Sequence, residues 1–351
     1  MHAILHASYF SPNFGDVLLW HACINRIKHD HPELVLRSVN VPRKFNSHYC
    51  IQGVHNITSS EIRDAKFIAF LGGGYFYQPQ RHTLIWGIRN YLRHSKALQL
   101  SLEIPKVGFF GVGVGEIDFS PFQKRLRAAF SKADVIIVRD MESKLASREL
   151  LSGCERPIHV VPDIAFGYVR AQHGLMSKER RYLSLHIDPS SIPQANLKHI
   201  LDFIHKVARK TALPLQLLVD CPSSQATSFA EVLKRKYGQR VHRVVTYAHD
   251  VDDFLAAIAA STALITTKLH VGICSTALGI PTVSIPKHQK TKRFYEQIGL
   301  ADNCVSATEI AHYGFELLEN QKMDYKLLDK FADESRSALQ FLSAFFSKPV
   351  L

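Results

Sequence analysis

No Cys-x-x-Cys pair occurs among the 351 residues; the six cysteines, Cys23, Cys50, Cys154, Cys221, Cys274 and Cys304, are scattered. That spacing excludes a small disulfide framework and fits reduced thiols of a cytosolic compartment. The opening residues, MHAILHASYFSPNFGD, turn polar and Gly/Pro-marked too soon for a signal peptide or a membrane span. A soluble, cytoplasmic protein is expected. Nucleotide fingerprints are lacking as well: there is no G-x-G-x-x-G and no G-K-[ST], so no nucleotide cofactor is implied. No cluster of Cys, His or carboxylates has metal-ligand spacing, and no metal is expected. Short-period repeats and low-complexity tracts are absent too.

Acidic residues are the scarcer charge, 31 against 43 Lys and Arg, which leaves a formal charge of +12. The resulting field attracts anions. Phosphorylated substrates, an anionic membrane surface and nucleic acid all fit a positive field. The scatter of the basic residues, with no zinc-finger spacing, RNP-like strand or basic tail, argues against nucleic acid. With 46% apolar residues the chain can bury a large core, and its length favours two domains.

The apolar pattern alternates between short buried runs and helical spacing. Ala3–Ala7 reads as a strand, Ser11–Asp16 as a loop and Val17–His29 as a helix. Strands at Lys66–Leu71 and Lys106–Phe110 run into Gly72-Gly-Gly74 and Gly111-Val-Gly-Val-Gly115, and Asp134–Val138 leads to a helix over Glu142–Leu151. After the polar stretch Arg170–Arg181 the alternation resumes from Tyr182–Ile187 through Thr282–Ile285. Tyr325–Phe346 reads as a long amphipathic helix. Such alternation predicts an α/β chain of parallel βαβ units. Two doubly wound Rossmann-like domains facing across a cleft follow, over 1–172 and 173–325, with a C-terminal helix over 326–351 that packs back on the first domain.

Ligands of such sheets bind beyond the carboxyl ends of the strands, so the residues there are the candidates. In Asn13-Phe-Gly-Asp16 the flanking Asn13 and Asp16 suit either helix capping or a sugar hydroxyl. Gly72-Gly-Gly74-Tyr75 lets a ligand come close to the backbone. Arg139, after Val138, either presents its planar fork to a carboxylate or phosphate or pairs with Asp140 or Glu142. Thr266-Thr-Lys-Leu-His270 places Lys268 and His270 at a helix N-terminus that attracts anions. Most of the nineteen histidines are structural on this view; His270 stands out by its placement. Lys287-His-Gln-Lys-Thr-Lys-Arg293 puts five basic residues in seven directly after the next strand, either a solvated face or an anion site.

Taken in order, these segments resemble the polysaccharide pyruvyltransferase family. The family pattern of N-x-G-D, a glycine triplet and G-x-G-x-G appears as Asn13–Asp16, Gly72–Gly74 and Gly111–Gly115. V-R-D-x-x-S and V-x-P-D follow as Val138–Ser143 and Val160–Asp163, then R-L-H-x-x-I as Lys268–Ile273 and A-L-G-x-P as Ala277–Pro281. K-x-x-x-F closes the set as Lys290–Phe294, ahead of Gly299-Leu300. The resemblance implies a GT-B-like fold and phosphoenolpyruvate as donor substrate, with no cofactor. Carried over by position, Arg139 and His270 are catalytic, and Arg139, Lys268, Leu269, His270 and Lys290 bind the donor. Asn13, Asp16, Gly73, Gly74 and Tyr75 are the implied acceptor side. Lys268 stands where the family carries arginine, so bidentate geometry is lost there.

On this resemblance a sugar of a cell-surface polysaccharide, or its lipid-linked or nucleotide-linked precursor, receives a cyclic pyruvate ketal. Work at the inner face of the cytoplasmic membrane, with peripheral contact to anionic lipid, fits the positive charge. A nucleotide-sugar glycosyltransferase shares the architecture, but no convincing acidic residue for clamping a ribose stands out. A non-catalytic anion-binding module is the other alternative.

Overall fold

The computed structural model describes residues 1–78, 83–189, 192–221, 224–321 and 323–347. Apolar runs buried on both faces become strands, as parallel sheets covered by helices require. The chain opens with His2–His6 (β1), Phe14–Asp30 (α1) and Val35–Ser38 (β2). Asn46–Tyr49 (α2), His55–Asn56 (β3), Ser59–Ile62 (α3) and Ala65–Phe76 (β4) follow. Then come Thr83–Ser101 (α4), Lys106–Val114 (β5), Ser120–Lys132 (α5), Val135–Val138 (β6), Met141–Leu150 (α6) and His159–Val160 (β7). These strands pair in parallel in the order β3-β2-β1-β4-β5-β6-β7.

The second half repeats the scheme. Ile164–Arg170 (α7) and His173–Met176 (α8) lead to Tyr182–His186 (β8), Gln194–Thr211 (α9), Leu215–Val219 (β9) and Ser224–Tyr237 (α10). Val241–Thr246 (β10), Val251–Ala259 (α11), Ser261–Thr266 (β11), Leu269–Ala277 (α12) and Thr282–Ser284 (β12) complete the sheet. Gln289–Gln297 (α13), Ile310–Asn320 (α14) and Tyr325–Ser347 (α15) end the chain. The second sheet is also parallel, in the order β10-β9-β8-β11-β12. In each sheet the order reverses once, between β1 and β4 and between β8 and β11, the switch points where such sheets hold ligands.

The chain divides into two compact units. One comprises Met1–Pro12, Asp16–Ile164 and Glu334–Leu351, the other Asn13–Gly15 and Ala165–Asp333. In the first, Phe70 stacks on Phe109 at 4.4 Å and Phe130 packs on Phe109 at 4.3 Å. Truncating one such ring typically costs about 3–5 kcal/mol. In the second, Ile200, Phe203, Ile204 and Val207 of α9 lie on one helical stripe against Leu183, Leu185 and Leu217 of the sheet.

Three sequence expectations change. Both glycine motifs lie inside strands, because β4 and β5 run on through Gly72–Gly74 and Gly111–Gly113 and pair there, Gly73 with Val112. Helix α1 starts earlier than expected, so Phe14–Asp16 sit in its first turn rather than in a loop, and α12 opens at Leu269 with His270 in its first turn. The change of unit comes at Ile164/Ala165 rather than at 172/173. The polar stretch is no linker: Arg170 donates to the carbonyl of Ala277, and Arg180 to those of Leu278 and Gly279, at 2.7–3.0 Å. Two guanidinium groups thus satisfy buried carbonyls at the C-terminus of α12. Within the first unit, the end of α15 packs Phe345 and Phe346 on Phe67 at 5.4 and 5.3 Å. Of the expected terminal helix, 348–351 lie outside the described residues.

Candidate active site

In the second unit the site grows from the switch point. β11 ends at Thr266, in register with His186 at the end of β8, and Lys268 caps α12. The Thr266 hydroxyl accepts the Lys268 N–H at 2.9 Å, which turns the chain sharply into the helix. Lys268 Nζ reaches Asp220 Oδ2 at 3.0 Å, and His186 Nε2 meets Asp220 Oδ1 at 2.9 Å. Burial opposes ionisation of Asp220, but His186 and Lys268 overcome that penalty and hold its carboxyl well below the usual carboxylate range. Lys268 is consequently tethered at the helix mouth.

His270 lies in the first turn of α12, 7% exposed. Its ring rests on Gly15: a Cβ there would lie 2.0 Å from His270 Nδ1 and 2.4 Å from Cγ. Gly15 is held against it by Phe14, whose N–H donates to the Asp220 carbonyl at 2.9 Å. The Phe14 ring packs on Tyr247 and Phe254, at 5.7 and 4.7 Å, and those two rings touch each other at 5.9 Å. The early Asn13-Phe-Gly segment therefore belongs to the imidazole's support, and its glycine serves close approach rather than a tight turn. Gly272, two residues on in α12, leaves room in the same way for the Tyr295 hydroxyl, 2.7 Å from where a Cβ would stand.

The basic run after β12 adjoins this centre. Partial burial and then the charges of Lys290, Lys287 and Lys268 push His288 down to about 4. Counted as basic in the sequence, His288 is neutral at neutral pH, and three lysine charges reach it together. Lys290 stands in the first turn of α13. Leu269 is buried.

In the first unit Arg139 follows β6 and is 8% exposed. Its guanidinium occupies space that glycines leave: a Cβ on Gly74 would lie 2.6 Å from Nη2, and one on Gly113 would lie 2.8 Å from it. One glycine of each motif, Gly74 and Gly113, thus makes room for this side chain. Asp140 is 3.7 Å from Arg139 Nε, but its Oδ1 accepts the Ser143 N–H at 2.7 Å as the cap of α6. Ser143 Oγ in turn accepts the Val114 N–H at 3.0 Å, tying α6 to the end of β5. Among the described residues, Arg139 Nη1 is buried and makes no hydrogen bond. A buried guanidinium N–H of this kind suits an anionic oxygen.

The expected acceptor side is partly core. Tyr75 is buried, donates to the Leu71 carbonyl at 2.8 Å and stacks on His94 at 4.9 Å, so its hydroxyl is committed to the fold. Gly73 has φ +121°, and a Cβ there would press on the Tyr75 ring. Asp16 and Asn13 are half-buried. Tyr77, which the sequence did not single out, is close enough to Arg139 and Asp16 for both charges to act on it; burial leads in raising its pKa, Arg139 opposes and Asp16 adds. His186 and Asp220 were missed as well, although each ends an apolar strand run as Thr266 does. His6 illustrates the structural histidines: it bonds His94 at 2.8 Å and Tyr9 at 3.0 Å, and burial pushes it down to about 3.

Residues 13–288 match the family described as polysaccharide pyruvyl transferase. The chain belongs to that family. A pyruvyl donor and a sugar acceptor are implied for the pyruvyltransferase, together with a place in polysaccharide biosynthesis. No curated protein matches it in sequence. Among solved structures it is similar to a UDP-GlcNAc 2-epimerase from Methanocaldococcus jannaschii, at 14% identity and TM-score 0.60, over 98% of this chain and 99% of that one. The UDP-GlcNAc 2-epimerase from Neisseria meningitidis bound to UDP-GlcNAc matches at 11% identity and TM-score 0.57, over 99% and 100%. An alpha-glucosyltransferase in complex with UDP matches at 12% and 0.51, over 96% and 94%. At such identities the likeness shows the fold alone, and the pyruvyltransferase is GT-B-like.

Proposed function

We propose that the protein transfers the enolpyruvyl unit of phosphoenolpyruvate to two hydroxyls of a sugar in a cell-surface polysaccharide or its precursor, closing a cyclic ketal and releasing phosphate. The observation that carries this is the setting of His270: an imidazole fixed on Gly15 at the N-terminus of α12, two residues after Lys268, whose charge acts together with those of Lys287 and Lys290 on His288. A small donor with a carboxylate and a phosphate needs several cations and one proton-transfer group, and family membership already implies a pyruvyl donor.

In the proposed reaction a proton adds to the methylene carbon of phosphoenolpyruvate and leaves a cation-like centre at the adjacent carbon. A sugar hydroxyl attacks that carbon and loses its proton. Phosphate departs with its bonding pair, and the second hydroxyl closes the ring, losing its proton in turn. His270 carries protons in these steps. Lys268, held by Asp220, and Lys290 hold the donor anions and favour phosphate departure. Arg139 offers its buried Nη1 to an anionic oxygen. No metal or cofactor takes part.

Incubation with phosphoenolpyruvate and a panel of sugar acceptors tests the reading, with released phosphate and acceptor mass as readouts. Phosphate release matched by an acceptor heavier by pyruvate less water supports it. Turnover of a nucleotide sugar with release of a nucleoside diphosphate, and none with phosphoenolpyruvate, would replace it with the glycosyltransferase alternative.

A further inference from the structure

Helix α4 carries an aliphatic stripe that faces solvent. Leu84, Ile85, Ile88 and Leu92 are 62, 66, 42 and 68% exposed, a concentration that no other helix of the chain shows among its described residues. At 3.6 residues per turn they fall within about 100° of the circumference. Gly87, Asn90, His94, Ala97 and Leu98 occupy the opposite, buried side.

Lys96, Arg89 and Arg93 border the stripe along one edge, within the next ~80°. Among the described residues none of the three pairs with a carboxylate. Instead Arg89 lies over the Trp86 ring and Arg93 over the Phe10 ring, both at 4.9 Å. Burial, and then the charge of Arg89, lower the pKa of Arg93, as two like charges one turn apart should. An apolar stripe beside unpaired cations is the pattern of a helix that lies in a membrane interface.

We propose that α4 docks the protein on an anionic lipid bilayer, with Leu84, Ile85, Ile88 and Leu92 entering the headgroup boundary and Arg89, Arg93 and Lys96 meeting lipid phosphates. The charge of +12 supplies long-range attraction to such a surface. Among the described residues no helix is long and apolar enough to cross a membrane, so the contact is peripheral. The inference stands independently of the donor and its chemistry.

Vesicle sedimentation of the full chain tests it, using phosphatidylcholine with and without phosphatidylglycerol. The parent should sediment with the anionic vesicles, and added salt should release it. Ile88→Asp with Leu92→Asp should weaken binding more than about tenfold, and Arg89→Glu with Arg93→Glu by a similar factor, with melting unchanged. A parent that stays in the supernatant, or variants that sediment like it, would overturn the proposal. So would an Ile88→Asp, Leu92→Asp protein that loses only self-association, which would make the stripe an interface between copies.

Discussion

Gly15 and His270, 255 positions apart in sequence, are packed so tightly that no side chain fits between them, since a Cβ on Gly15 would lie 2.0 Å from Nδ1. Gly15→Ala must therefore displace the imidazole. A misplacement of about 1 Å can cost ~10²-fold in rate, and the expected loss in turnover is of that order. His270→Ala should cost about 10²–10⁴-fold, the range of general acid/base catalysis. Turnover of both variants, compared with their melting, checks this. A folded Gly15→Ala protein with parental turnover would show that the ring's position is immaterial.

The fit of Arg139 between Gly74 and Gly113 yields a second expectation. Gly113→Ala should destabilise the protein, and Arg139→Ala in the same chain should recover part of the loss by vacating the space. The coupling in a double-mutant cycle should be about 0.5–3 kcal/mol, read from urea unfolding. Additive losses would mean that the guanidinium does not occupy that space. Arg139→Ala alone should weaken donor-anion binding by about 1.5–3 kcal/mol, measured by calorimetric titration.

Asp220 joins His186 to Lys268. Because its carboxyl is held below the usual range, its ionised form adds stability that is present above about pH 4 and is lost as the pH falls from there. Asp220→Asn should cost about 1–3 kcal/mol at neutral pH, and its difference from the parent should shrink as the solution is acidified below about pH 4. Thermal melts of both proteins over that range make the comparison. A gap that does not change with pH would indicate a packing role only.

The strands were legible because apolar runs of five or so residues between glycines and polar turns have few other uses in a chain this long. β1, β8 and α15 are displaced only at their ends from the expected runs. The placement of Arg139, Lys268 and His270 shortly after strands was legible by the same rule. What the sequence hid are relations across distance. Nothing local says that Gly74 and Gly113 make room for Arg139, or that Asp220 anchors Lys268. Nor does local pattern show that Tyr75, which the resemblance places on the acceptor side, has its ring buried on His94. His288 looked like another positive charge until its burial, and then the charges of Lys290, Lys287 and Lys268, were in place.

Running the reaction in heavy water tests the central claim most directly. If phosphoenolpyruvate is the donor and its methylene carbon takes a solvent-derived proton, the acceptor gains the mass of pyruvate less water, and its new methyl group carries deuterium after the hydroxyls are exchanged back. An acceptor left unchanged by phosphoenolpyruvate, or a ketal whose methyl group holds no deuterium, would contradict the account.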